Sequence, residues 1–220
     1  MFCHITTQIQ GEKYGDLLSE KGGNGFPYLV FMDQNGDVLA VHEGKREVDA
    51  FSETAKKAQE YVDLKKKADA GDKKAIVEVV FRELRGGRMK LDVADKKLAG
   101  IELSDDQKKE LEQLRADVEV GDILHAVKTN ADVPDAGKKF AERKKAGKPA
   151  PSNEQFVQYY WQFIMTYAEQ EKDPALYEDA LKALKEKFGK NPKAKAYFDK
   201  ADKTLEKLKA DAAPKGDEKK

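Results

Sequence analysis

Between Gly25 and Gly44 the chain reads GFPYLVFMDQNGDVLAVHEG. Proline has no N–H to give to a sheet ladder, so within a strand it belongs at the first residue. Pro27 stands there, ahead of the apolar run Tyr28 to Met32. A near-continuous run of this kind predicts a strand covered on both faces. Asn35-Gly36 is the strongest two-residue signal for a hairpin turn, because both positions tolerate positive φ. DVLAVHEG then returns as the antiparallel partner. A proline-headed hairpin is therefore the fixed point around which the first part of the chain must fold.

Before it, FCHITTQI alternates, with Cys3, Ile5, Thr7 and Ile9 on one face, and its β-branched residues suit a strand. Glu12 to Lys21 predicts a short helix with Tyr14, Leu17 and Leu18 on one side, ended by Gly22 and Gly23. From Glu47 onward the period changes from two to 3.6. Residues 47–70 predict a helix with Val48, Phe51, Ala55, Ala58 and Val62 on its buried stripe. Further helices are expected near 72–85, 104–128, 152–171, 174–188 and 193–210. Their breaks are Gly86-Gly87, Ser104 with Gln107 as a capping box, Pro151-Ser152, Asp173-Pro174 and Asn191-Pro192. Residues 132–151 read as a polar, weakly helical crossing.

This order of strand, helix, strand, hairpin and helix, with proline heading the third element, resembles the C-terminal part of the thioredoxin fold. GFPYLVFMDQNGDVLAVHEG is similar to the region that carries the family's cis-proline, with Pro27 in that position and the bulky Phe26 before it. The resemblance covers roughly residues 2 to 64. It implies a cis Phe26–Pro27 bond, contact between these two residues and an extended peptide, and a link to thiol–disulfide chemistry. The family's first strand and its Cys-x-x-Cys helix have no counterpart here. In that motif the helix N-terminus lowers the first thiol's pKa and the second thiol resolves the mixed disulfide. Cys3 is the only cysteine and lies in the expected strand. It is a candidate reactive thiol, but a small apolar residue on a buried face is the better reading. The missing strand would be central in the sheet, and its loss would expose backbone edges and shrink a small core. Met1 is therefore expected to be an internal methionine of a longer protein, rather than the start of a complete one that has lost its chemistry. No oxidoreductase activity is expected of the 220 residues as they stand.

Lys+Arg 41 balances Asp+Glu 41, which argues against nucleic acid as the main partner. A protein or peptide partner is expected, with no cofactor. One cysteine allows no internal disulfide and no thiolate metal cluster. His4, His42 and His125 lack the spacing of ligand pairs and read as surface or half-buried residues. Asp33 to Asp37 has its glycine in the wrong place for a calcium loop. Gly22 to Gly25 has no following Gly-Lys-Ser/Thr and reads as a connection, not a phosphate loop. No run approaches membrane-spanning length, and the first ten residues lack signal-peptide features. The chain as written is expected to be cytoplasmic, or periplasmic or secreted if a signal lies upstream.

In the helical part, Phe156 to Ala168 is apolar over most of its circumference and predicts the central helix of a bundle. Residues 176–208 resemble a tetratricopeptide-like hairpin, with Ala180, Leu184 and Phe188 at packing positions and Pro192 after the helix end. An irregular antiparallel bundle fits equally well, since at least three repeats are normally needed for a stable array. Lys138, Lys139, Arg143, Lys144, Lys145 and Lys148 read as a solvated face. The expected fold is thus α+β or α/β: a partial thioredoxin-like domain (β-α-β-β-α) over 1–68, an all-α bundle or repeat-like domain over 69–210, and a disordered tail at 211–220.

Overall fold

The computed structural model describes residues 15–23 and 25–212. The strand expected at 2–9, with Cys3 and His4, lies outside them, as does the tail beyond residue 212. The chain forms two compact units that divide at Leu103/Ser104.

The first unit runs α1 (Leu17–Glu20), β1 (Val30–Met32), β2 (Val38–Val41), α2 (Val48–Asp69), α3 (Lys73–Arg85) and α4 (Leu91–Leu98). The two strands pair antiparallel, Val30 opposite Val41 and Phe31 opposite Ala40, with an irregularity before Met32. The hairpin is present, but its turn is a longer loop over residues 33–37 in which Gly36 and not Asn35 takes positive φ. Gly36 takes a φ of 82°, and Asp33 Oδ1 accepts from the Asn35 and Asp37 amides at 2.8 and 3.0 Å. That short side chain holds the loop in the way an aspartate before a turn commonly does. Lys65 of α2 pairs with Asp37 at 3.1 Å.

The strand covered on both faces is β2, not β1. Val38, Leu39 and Ala40 are all buried, while Met32 of β1 is 46% exposed. The apolar run at 28–32 is long enough for a central strand, but among the described residues β1 has a neighbour on one side only. α2 packs on both strands. Its buried stripe is Thr54, Ala58 and Tyr61, with Leu39, Ala40 and Val79 completing a small core. Val48, expected on that stripe, is 81% exposed, because it precedes the turn that reaches the sheet. α3 presents Ala75, Val77, Val79, Val80, Phe81 and Leu84 inward and packs on α2 and α4. The helices after residue 69 therefore belong to the first unit as far as Leu103.

The second unit holds α5 (Asp105–Ala126), α6 (Val133–Lys145), α7 (Glu154–Gln170), α8 (Pro174–Phe188) and α9 (Lys195–Ala212), so Asp211 and Ala212 are helical. Ser104 and Gln107 form the expected capping box, and Asp173 caps α8 by accepting from the Leu176 amide at 2.9 Å. After the expected break at Pro151-Ser152, Asn153 caps α7. Asp117 of α5 holds this helix start by accepting from Ser152 N and Oγ at 2.6 and 2.7 Å. Residues 133–145, expected as a polar crossing, instead form α6, which buries Ala136, Gly137, Phe140, Ala141 and Arg143. Arg143, expected on a solvated basic face, is thus interior.

α7 packs on α5, α6 and α8, as its all-round apolar character requires. Tyr160 and Ile164 are fully buried in a core with Phe140, Ala180, Leu184 and Phe198, each such large side chain contributing roughly 1.5–3 kcal/mol. Trp161 packs against this core and meets the Tyr160 ring edge-on at 4.9 Å.

Burial pushes the Tyr177 phenol up to about 12 and moves Tyr160 and Tyr197 in the same direction. A raised folded-state value contributes stability that is intact below the ordinary tyrosine value of about 10 and is lost as pH rises through the folded value. We therefore expect the second unit to weaken between about pH 10 and about pH 12, with a late fraction in the phenolate absorbance titration. A single titration step at the ordinary tyrosine midpoint would contradict this.

Candidate functional site

The Phe26–Pro27 bond is cis, and both residues are exposed just ahead of β1, Phe26 at 64%. The Tyr28 side chain is half-buried, and its hydroxyl donates to the Lys21 carbonyl at 2.8 Å, closing the loop between α1 and β1. Gly23 is buried here, and an added Cβ would lie 2.8 Å from the Tyr28 ring. The Leu29 carbonyl accepts from the His42 amide at 2.8 Å, extending the ladder toward Pro27.

His42 is buried and fully engaged, not a surface or half-buried residue as expected. Nδ1 lies 2.8 Å from Thr54 Oγ1 and Nε2 lies 3.0 Å from the Lys45 carbonyl. A carbonyl only accepts, so Nε2 carries a proton. The ring stacks on Phe51 at 3.9 Å. These contacts tie the end of β2 and the following loop to the first turns of α2. His125 is exposed on α5.

A polar network that the sequence does not single out lies on the α3 side. The Tyr61 hydroxyl donates to Glu83, and Arg88 Nε donates to Glu83 Oε2 at 3.0 Å, each of these two side chains only 16% exposed. The Arg82 guanidinium sits 4.0 Å above the Tyr61 ring and donates to the Leu39 carbonyl at 3.0 Å. Burial, and then the Glu83 bond, pushes the Tyr61 phenol far above its ordinary range. Burial also raises Tyr28, while Arg88 pulls it back and Glu43 pushes it up. The one sequence signal was Arg88 directly after the Gly86-Gly87 break.

Chemically, Phe26 and Pro27 offer an exposed ring and backbone but no nucleophile or titratable group. No cysteine stands among the described residues, and Cys3 lies outside them. Among the described residues no three His, Cys, Asp or Glu side chains converge as metal ligands, and no helix is long and apolar enough to cross a membrane. Comparison of the chain with protein-family models, with curated proteins and with solved structures returns no match.

Proposed function

We propose that the first unit is a thioredoxin-like, redox-related module that engages extended polypeptide through Phe26 and Pro27, and that the helical unit serves protein contacts. The observation that carries this reading is the solvent-facing Phe26 on a cis bond at the head of β1, with the hairpin and α2 following in the expected order. Exposed aromatic anchors commonly dominate binding energy at such surfaces. With a single cysteine the chain has no internal dithiol to cycle, so docking without catalysis is the form the proposal takes. The test is fluorescence anisotropy with labelled, reduced and carboxymethylated lactalbumin, a permanently extended chain. Saturable binding is expected, weakened about tenfold by Phe26→Ala. In parallel, insulin reduction with dithiothreitol is expected at the background rate. Absence of saturable binding would sink the docking claim, and robust turnover would sink the non-catalytic one.

A further inference from the structure

We propose that Arg88, outside the stretch that resembles thioredoxin, is a positioning residue for the Phe26–Pro27 surface; this rests on the docking reading above. The geometry forms a chain of contacts. α3 ends at Arg85 with Gly86 as its C-cap, and the Arg88 amide folds back to donate to the Glu83 carbonyl at 2.9 Å. The Arg88 side chain then covers Gly86, where any Cβ would overlap the guanidinium. From there Nε reaches Glu83, which also accepts from Tyr61 of α2.

Tyr28, the residue directly after Pro27, stands close to this helix end: its hydroxyl is 3.7 Å from where a Cβ at Gly22 would lie. The turn at 21–23 lies against the same helix end: an added Cβ at Gly22 would stand 3.0 Å from the Gly86 carbonyl oxygen. Lys21, in that turn, is the acceptor for the Tyr28 hydroxyl. The turn at 21–23, to which Tyr28 is bonded, thus lies against the C-terminal turn of α3, and Arg88 is the charged group that covers that turn. The Arg88–Glu83 pair is half-buried, and losing one partner leaves the other charge poorly compensated. A loop already ordered loses less freedom when it binds, so its fixation translates into affinity.

The test compares Arg88→Ala, Arg88→Lys and Glu83→Gln in the full chain, using the same labelled lactalbumin together with amide hydrogen exchange. For Arg88→Ala we expect about tenfold weaker binding and faster exchange at residues 21–29, with α2 and α3 still protected. Arg88→Lys keeps the charge but not the fork geometry and should recover part of both effects. If Arg88→Ala does not fold, Glu83→Gln, which keeps an acceptor for Tyr61, must show the same paired loss. Unchanged exchange at 21–29 overturns the positioning role whether or not the probe binds. Failure of the unmodified chain to bind overturns the docking reading alone. A uniform fall in thermal midpoint, with affinity kept within about twofold, would assign Arg88 a merely structural part and defeat the proposal.

Discussion

Gly137→Ala is expected to lower the unfolding midpoint of the helical unit by about 10 °C. The sign is the informative part. In an exposed helix interior the same change helps by about 1 kcal/mol, because alanine loses less backbone freedom on folding than glycine. On α6, however, an added Cβ would overlap the Phe163 carbonyl oxygen of α7 and lie 2.9 Å from both Phe163 C and Tyr167 Cβ. Those are backbone and near-backbone atoms, which move only if the helix moves. Overpacking typically costs 1–3 kcal/mol; with backbone atoms in the way the upper end applies here, which less the gain of about 1 kcal/mol leaves about 2 kcal/mol net, about 10 °C in a domain of this size. Differential scanning calorimetry on the full chain measures it. Gly121→Ala is the comparison: its Cβ would meet only the Phe156 ring, at 3.2 Å, and a side chain can swing aside. A midpoint that rises in Gly137→Ala would show that α6 and α7 do not approach as closely as described.

Glu119→Ala should cost about 3 kcal/mol in urea denaturation, more than removing its partner. Arg143 is nine-tenths buried on α6 and pairs with Glu119 of α5, and its Nε has no partner among the described residues. Burial pulls the guanidinium's pKa below its ordinary value. Deleting Glu119 leaves this cation interior and uncompensated, which is where buried pairs are costly to break, at about 3–5 kcal/mol. Lys148, which also reaches Glu119 at 3.1 Å, is more exposed and loses little. Arg143→Met removes the charge while filling the space, and should cost less than about 1 kcal/mol. Combining Glu119→Leu with Arg143→Met should restore most of the stability. If Glu119→Ala proves neutral, water reaches Arg143 and the pair is not interior.

The features legible in the sequence are those with local causes. The hairpin at 33–37 follows from Asp33, Asn35 and Gly36 within five residues. The cap at Ser104 was readable because a capping side chain acts on amides two or three positions ahead, and the breaks at Asp173-Pro174 and Asn191-Pro192 because proline opens a helix rather than continuing one. α7 was readable because an apolar circumference has few other uses. α6 was not, because apart from Phe140 its apolar contact face is built from Ala136, Gly137 and Ala141, small residues that carry little hydrophobic signal beside five basic ones. α4 is eight residues long, too short for its period to stand out. Phe26 and Pro27 came from their place ahead of β1. Tyr61, Glu83 and Arg88 stayed hidden because polar groups 22 residues apart, as Tyr61 and Glu83 are, meet without any periodic trace.

The placement of Trp161 has a practical side. It is the sole tryptophan of the chain, and it lies on α7 with its ring against Tyr160 and the helical core. Intrinsic emission excited at the indole band therefore reports melting of one unit and is blind to the other. A fluorescence curve that looks two-state would describe half of the molecule. Introducing a second indole at Phe31, half-buried beside the β1–β2 core, would give the hairpin its own optical voice.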